Sequence, residues 1–281
     1  MNRVRIVTDS SCDLPVEVAD AYGIEVVPLS IRFGDTELVD RDELTPAEFW
    51  VRCADTTTLP ETAAPSPGRF ETAYGRLLDG GATGILVVSL SSELSATMQS
   101  AIVAARQVAD ERGVDVRVVD SRTVSLGVGT IAIACARAAA DGADLDTLES
   151  LATHLASRTR VVGALDTLEN LKKGGRIGNA RALLGTALSI KPIIEVRDGR
   201  VEQAGKQRTR SKALALVVER VREDAGRISD LAVLHADCSD VDQFVDSLRP
   251  LYGGEIVVGE IGPVIGTHAG RGTIGVAYQR T

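Results

Sequence analysis

The sequence predicts an α/β protein of two domains, a three-layer N-terminal domain built on a parallel sheet and a smaller C-terminal α+β domain. In the first half, apolar strand-like segments alternate with amphipathic helix-like segments, which is typical of a parallel sheet with helices on both faces. In the second half, the hairpin turn predicted at Asp198-Gly199 indicates an antiparallel pair. Because 281 residues exceed one typical domain, we place a boundary near Arg160. The domains are then 1–160 and 161–281, with a ligand bound between or within them.

The N-terminal elements are predicted in chain order. Strands are expected over residues 3–11, 24–33, 83–90 and 114–121, and helices over residues 13–22, 45–50, 66–80 and 95–112. Gly23 is placed to cap the first of these helices at its C-terminal end. Thr45 and Glu48 form a capping box at the start of the second helix, with Pro46 at its first position.

The C-terminal elements show a mixed pattern. An amphipathic helix over 145–157 is expected to connect the domains, and strand-like arms flank the turn within residues 193–205. A helix over about 210–224, a strand at 231–236, another helix and strands at 255–262 and 272–280 follow.

Composition excludes several classes of function. A net charge of −8 argues against a nucleic-acid groove or an anionic membrane face, since both need clustered cations. The four cysteines, which include no C-x-x-C pair, indicate a reduced compartment, and neither a signal peptide nor a membrane-spanning run is predicted. We therefore expect a cytoplasmic protein. Aromatic residues make up only 3%, which favours aliphatic ligands over nucleotide cofactors.

Hydroxyl side chains collect where predicted strands end, and ligands of parallel sheets bind beyond these ends. For Ser10, Ser11 and Ser121, capping or turn structure is favoured over ligand contact. Ser95 is placed to cap a helix that opens at Ala96, where the free amides would welcome an anion. For Ser95, a cap alone and a cap that also binds an anion are both open.

Two further segments carry candidate ligand contacts. The proline-stiffened segment TAAPSPG, residues 62–68, offers the hydroxyl of Thr62, for which an exposed loop position is favoured over a place in a cleft. The basic segment 171–181 follows a predicted helix with a glycine-flexed turn at Arg176. That guanidinium is equally consistent with a solvated face and with docking of a phosphate or carboxylate.

His268 lies in a glycine-rich stretch, IGPVIGTHAGRG, that we interpret as a flexible loop. It could form a phosphate cradle, a catalytic base or a polar clamp for a ligand. No histidine or cysteine lies at metal-ligand spacing, no G-x-S-x-G elbow exists, and no G-K-[ST] follows the glycines. These absences leave an imidazole, neutral or protonated, that is offered to an oxygen-bearing ligand.

The order and spacing of eight segments resemble the DegV family, whose characterised members are fatty-acid-binding subunits of bacterial fatty acid kinase. The segments are IVTDSSCDLP, the T-x-x-P-S-P run at 62–67, SSELSATMQSA, VVDS at 118–121, LKKGGRIG, SIKPII, KQRTRSKAL and GPVIGTHAGRG. The resemblance covers the whole chain. It implies a protein that buries a long acyl chain and is not an enzyme by itself, with no cofactor and no metal.

The resemblance also implies roles for particular residues. Thr62, Ser95 and His268 would hold the fatty acid carboxylate, while Arg176 and Arg208 would engage an ATP-dependent kinase. The kinase would phosphorylate the carboxylate while this protein holds it. Ala96 is a further ligand-binding candidate because its amide opens the predicted helix. Residues near these positions, Ser10, Ser121, Gly266 and Thr267, are further candidates for the surroundings of the ligand. We expect a monomer that allows transient membrane contact.

Some positions depart from the family pattern. Ala63, Ala64 and Ala96 stand where hydroxyl, polar or glycine residues are usual, Met98 where an aromatic residue is common, and Ala269 and Arg271 where a hydroxyl residue and a proline are expected. The family's chain-length preference is therefore not carried over. Two rivals remain: a stand-alone phosphotransferase or hydrolase with His268 as general base, and a purely regulatory interaction module.

Overall fold

A computed structural model describes residues 3–56, 58–184 and 190–281. Ser189, the first residue of the SIKPII segment, lies outside these ranges. The strands are β1 (Val4–Asp9), β2 (Glu25–Val27), β3 (Ser30–Phe33), β4 (Thr36–Val39), β5 (Glu61–Ala63), β6 (Gly84–Ser89), β7 (Val116–Asp120), β8 (Thr159–Ala164), β9 (Lys191–Arg197), β10 (Arg200–Gln207), β11 (Ile228–His235), β12 (Ile256–Glu260) and β13 (Ile274–Arg280).

The α-helices lie between these strands, and short 3-10 helices form at Ser10–Cys12, Gly178–Leu183 and Arg249–Leu251. The α-helices are α1 (Val16–Tyr22), α2 (Pro46–Asp55), α3 (Pro67–Asp79), α4 (Thr97–Arg112), α5 (Leu126–Ala140), α6 (Leu145–Arg158), α7 (Glu169–Lys173), α8 (Arg210–Glu223), α9 (Val241–Leu248) and α10 (Pro263–Ala269). No helix within the described ranges is both long and apolar enough to cross a membrane.

A parallel sheet organises the N-terminal half, as the sequence predicts. Its strand order is β2-β1-β6-β7, and every neighbouring pair is parallel. All six residues of β6 are buried, because helices cover both faces of the sheet. Helices α3 and α4 pack on one face, where Phe70 and Tyr74 meet Val87, and α5 and α6 pack on the other.

A mostly antiparallel sheet organises the C-terminal half, which confirms the predicted fold class. Its order is β10-β9-β8-β13-β11-β12, and only β11 and β12 run parallel. Asp198 and Gly199 form the predicted hairpin turn with φ angles of 52° and 81°, as the tight turn of a two-residue hairpin requires. Helices α8 and α9 cover one face of this sheet.

Helix α5 joins the two sheets and was not predicted. It packs on β1 and β6 of the parallel sheet and on β11 and β13 of the antiparallel sheet. A methyl group at Gly127 would overlap Val161, and one at Gly129 would overlap Leu14, so these glycines allow the close approach. The sheets thus share one core. The antiparallel sheet begins at Thr159, beside the predicted boundary, but separate domains at 1–160 and 161–281 stay a prediction.

Two predicted segments near the N-terminus were wrong in detail. The single strand expected over 24–33 is broken around Pro28 into β2 and β3, because proline has no N–H to give to a sheet. Strand β3 instead pairs with β4 and β5 in a small antiparallel sheet. Thr62 therefore lies in β5, opposite Ile31, and not in an irregular loop.

The glycine-rich stretch at 261–272 was also interpreted wrongly as a flexible loop. Residues 263–269 form α10, with Pro263 at its first position and Gly270, at φ 82°, ending it. Gly266 lies inside the helix, where a methyl group would come within 2.9 Å of the Trp50 ring and 3.0 Å of the Phe49 ring. This glycine therefore permits close packing and does not signal flexibility.

Candidate functional site

A cavity lies where both halves of the chain meet, and its lining is mostly aliphatic. It is bounded by β5, the segment before α4, the turn after α7, the β9–β10 hairpin and α10. Its aliphatic wall, as we call it, includes Leu29, Leu90, Val124, Ile194, Val196 and Val264. Of the residues that the structure describes, four with polar side chains also line it: Thr62, Ser95, Arg176 and His268.

Thr62 and His268 form a hydrogen bond inside this cavity. Thr62 Oγ1 lies 3.1 Å from His268 Nε2, although the two residues are 206 positions apart in sequence. Strand β5 presents the threonine, and the last turn of α10 presents the imidazole. The two polar residues that the sequence analysis selected from opposite ends of the chain thus form one unit.

The environment of His268 favours the neutral imidazole. Burial, together with the nearby Arg176 guanidinium, lowers the pKa of His268 to about 4. A neutral ring has one donor and one acceptor nitrogen. Nδ1 is buried and has no hydrogen-bond partner among the described atoms, and it lies so close to Gly174 that a methyl group there would overlap it.

Ser95 serves both the helix and the cavity. Helix α4 begins at Thr97, with Ala96 as its N-cap, one residue later than predicted. The Thr97 amide donates to Ser95 Oγ at 3.2 Å, and the Ser95 and Thr97 hydroxyls lie 2.9 Å apart. Ser95 is therefore not the cap residue itself, but it lies beside the helix start and, like Ala96, at the cavity surface.

Arg176 links two of the segments that bound the cavity. Its Nε donates to the Leu94 carbonyl at 3.1 Å, and one terminal nitrogen donates to the Gly174 carbonyl at 2.7 Å. The side chain therefore connects the turn after α7 to the segment before α4. Arg208 lies elsewhere: it is exposed at the end of β10 and does not line the cavity.

The remaining candidates surround the cavity and do not line it. Ser10 Oγ accepts from the Leu29 amide at 3.1 Å, and Ser121 Oγ accepts from the Thr123 amide at 3.3 Å. Thr267 Oγ1 donates to the Pro263 carbonyl at 2.8 Å, and Gly266 packs on the rings of α2. The bonds that Ser10, Ser121 and Thr267 make lie within the protein, so these side chains support the surrounding fold.

The hairpin that forms part of the cavity is held to the serine-rich segment before α4. Ser91 Oγ donates to the Gly199 carbonyl at 2.7 Å, and the Arg200 guanidinium donates two bonds to Glu93, at 2.7 and 2.9 Å. Both of these arginine bonds go to one carboxylate oxygen, Oε2 of Glu93. The contact brings wall residues of the antiparallel sheet against the N-terminal half.

Sequence reasoning missed the aliphatic wall and the close contact of Gly174 with His268. The wall residues come from separate strands and loops, so no local pattern marks them. The glycine pair in LKKGGR was noted only for its effect on Arg176. Within the described ranges, no three His, Cys, Asp or Glu side chains come together in a way that could hold a metal ion.

Comparisons with known proteins identify the family of the chain. A family model described as "DegV family COG1307" matches residues 3–281. The DegV domain-containing protein SCO2569 of Streptomyces coelicolor is 38% identical over 280 residues, which cover 98% of each chain. The Mycobacterium bovis DegV domain-containing protein Mb2440c is also 38% identical, over 98% of this chain and 97% of that one.

Two solved structures share the fold over nearly the full length. A fatty-acid-binding DegV family protein from Thermus thermophilus is 34% identical, with a TM-score of 0.90 over 99% of this chain and all of that one. DegV of Bacillus subtilis, described as a fatty acid binding protein, is 27% identical, with a TM-score of 0.87 over all of both chains. The resemblance seen in the sequence is confirmed, and the chain belongs to the DegV family.

Proposed function

We propose that this protein binds a long-chain fatty acid, with the carboxylate held by Thr62, Ser95 and His268 and the acyl chain against the aliphatic wall. The observation that carries the proposal is the cavity itself, in which connected polar groups adjoin an otherwise aliphatic lining. A pocket of this kind suits a ligand with one polar end and a long apolar body. The fatty acids bound by the T. thermophilus and B. subtilis relatives support the same ligand class.

The hydrogen-bond chemistry fits a carboxylate. An ionised carboxylate only accepts hydrogen bonds, so the hydroxyls of Thr62 and Ser95 would donate to it. The Thr62 oxygen would then accept from Nε2–H of His268, the atom that lies 3.1 Å away. In this tautomer Nδ1 carries no proton. The buried Nδ1 therefore has no N–H group that would need an acceptor.

Charge near this end of the cavity favours an anion without neutralising it fully. Arg176 is the cation nearest the head group among the residues that line the cavity, and both its described hydrogen bonds go to backbone carbonyls. The amides at the start of α4 add a positive dipole end. The carboxylate would be bound by neutral donors and keep an oxygen available for reaction.

The acyl chain would supply most of the affinity. At about 0.8 kcal/mol for each buried methylene, a hexadecanoyl chain contributes on the order of 10 kcal/mol. Among the described residues, no polar side chain lines the cavity except those of Thr62, Ser95, Arg176 and His268. An unsubstituted acyl chain would therefore leave no polar group unpaired along its length.

We further propose that the protein presents the bound carboxylate to an ATP-dependent fatty acid kinase and is not an enzyme alone. The family resemblance and the exposed positions of Arg176 and Arg208 support this step. The test is to incubate the loaded protein with ATP, with and without such a kinase. Acyl phosphate should form only when the kinase is present. ATP turnover by the isolated protein that His268→Ala abolishes would instead favour the phosphotransferase alternative.

Ligand binding itself is tested on the purified protein. Native mass spectrometry should show a mass surplus of one fatty acid, and denaturation followed by lipid extraction should recover a free acid. A protein that stays ligand-free after incubation with fatty acids of several chain lengths would contradict the proposal.

A further inference from the structure

Asp13, the last acidic residue of the IVTDSSCDLP segment, is buried. It does not line the cavity and makes none of the proposed ligand contacts. Its side chain and backbone are only 3% exposed. Oδ1 accepts a hydrogen bond from the Gly262 amide at 2.9 Å, and Oδ2 accepts one from the Ser125 hydroxyl. One carboxyl group thus joins three segments that are distant in sequence.

The two partners of Asp13 are helix starts. Gly262 is the N-cap residue of α10, and Ser125 is the N-cap residue of α5. Helix α10 carries Val264 of the aliphatic wall and His268 of the polar end. At 1.5 Å per residue, the Asp13 contact lies about 9 Å along the helix from His268, a distance that a single rigid helix spans.

Close packing leaves this junction little freedom. A methyl group at Gly262 would come within 3.1 Å of Asp13 Oδ1, and one at Gly259 would come within 2.6 Å of the Asp13 carbonyl. Asp13 itself has a φ of 51°, in the left-handed region. The start of α10 is therefore held against the carboxyl group by contact as well as by hydrogen bonding.

Burial at this junction disfavours the ionised form of the Asp13 carboxyl group. Burial raises the pKa of Asp13 to about 7, although the bonds from Ser125 and Gly262 and the charge of Arg41 act to lower it, and Asp40 acts to raise it further. Burying an ionisable group without full compensation costs stability. The acid therefore occupies this position although burial disfavours its charged form, and what it supplies there is the pair of bonds to the starts of α5 and α10.

We infer that Asp13 is a positioning residue for the fatty acid site: by anchoring the start of α10, it sets His268 at hydrogen-bond distance from Thr62. This inference rests on the proposed function for its ligand. If it is correct, loss of the Asp13 contact weakens binding of a fatty acid more than binding of a ligand that has the same chain but no carboxylate.

The test compares hexadecanoate with hexadecanol, which shares the chain and lacks the carboxylate. Asp13→Ala should lower the preference for the acid about tenfold, the value expected for losing a hydrogen bond to a charged group, and should leave binding of the alcohol nearly unchanged. Asp13→Asn should restore most of the preference, because its amide can accept from Gly262 and donate to Ser125. The double variant Asp13→Ala/His268→Ala should be no worse than His268→Ala.

The control is Thr130→Val, which removes a buried hydroxyl on α5 that donates to the Gly127 carbonyl. It should lower thermal stability without changing the acid-to-alcohol ratio. If Asp13→Ala does not fold, Gly262→Ala replaces it, since the added methyl group presses on Asp13 Oδ1 and should lower the same ratio. Equal losses for acid and alcohol, or no change in the ratio, would overturn the inference.

Ligand-free NMR separates this inference from the proposed function. Asp13→Ala should shift the imidazole signals of His268 and raise its pKa toward 6.5, and Thr130→Val should not. Unchanged His268 signals would overturn the inference even if wild-type protein binds fatty acid. If the wild type binds no fatty acid but the His268 signals move as expected, the proposed function fails and the positioning role stands.

Discussion

The two ends of the cavity are built in different ways. The aliphatic wall is a broad surface to which many side chains each contribute a small amount of apolar contact. The polar end depends on a few directed contacts, with Thr62 bonded to His268 and Arg176 bonded to the Leu94 and Gly174 carbonyls. The difference indicates that affinity resides in the wall and selection of a carboxylate resides in the polar end.

The largest effect is expected from placing a charge in the wall. Ile194→Asp should weaken retention of hexadecanoate and of hexadecanol alike, by more than about a hundredfold, because an unpaired carboxylate would face the acyl chain. Binding measured by calorimetry or by competition checks this. Val258→Asp is the matched control: Val258 lies in the same sheet, is 38% exposed and does not line the cavity, so retention should not change. If Ile194→Asp weakened binding of hexadecanoate but not of hexadecanol, the wall would not be the source of affinity for both ligands, which would contradict the account.

A smaller and more selective effect is expected at the imidazole. His268→Ala should weaken binding of hexadecanoate about tenfold through the lost charge-assisted network, with little change for hexadecanol. His268→Gln should keep part of the preference for hexadecanoate over hexadecanol, because its amide nitrogen can take the place of Nε2. His268→Asn should lose this preference, because its shorter side chain does not reach that position. Equal behaviour of the Gln and Asn variants would argue against the donor role of Nε2.

A still smaller effect is expected from Gly174→Ala. The added methyl group overlaps Nδ1 of His268, so the ring must move away from Thr62, and the acid-to-alcohol ratio should fall about threefold, short of full loss of the bond. Gly75→Ala is the matched control, since a methyl group there meets only the end of Arg112 at 3.7 Å. A ratio unchanged by Gly174→Ala would mean that the imidazole is not confined as described.

The smallest effect is expected from pH. Because the pKa of His268 is lowered to about 4, its imidazole should stay neutral and contribute no change in affinity between about pH 6 and 8. The folded state binds the proton less well than the unfolded state. The stability that His268 contributes is therefore present above about pH 6.5 and is lost as the pH falls towards 4. An NMR titration of the imidazole checks this, and a midpoint near 6.5 in the folded protein would contradict it.

Sequence periodicity predicted most of the fold where each element had one polar face. It failed for α5, whose sequence LGVGTIAIACARAAA is apolar nearly all round because both faces of the helix are buried between sheets. It failed again at Pro28, where a β-rich run divides between two sheets. In both places the tertiary surroundings decide the structure, and a single segment carries no record of them.

His268 and Ser95 were candidates for ligand contact from their sequence surroundings, whereas Thr62 was joined to them only through the family resemblance. From the residues alone, an exposed loop was favoured for Thr62, yet pairing of β5 with β3 brings its hydroxyl to His268. Glycines were taken as a sign of flexibility at His268, whereas Gly266 and Gly174 permit close packing on either side of α10. Long-range contacts of this kind leave no local signal.

The most direct test of the account is a crystal structure of the protein with bound hexadecanoate. We predict carboxylate oxygens within hydrogen-bond distance of Thr62 Oγ1 and Ser95 Oγ, with His268 Nε2 still bonded to the threonine and the chain running along Val196 and Val264. A carboxylate bound away from Thr62 and Ser95, or an acyl chain outside the aliphatic wall, would contradict it.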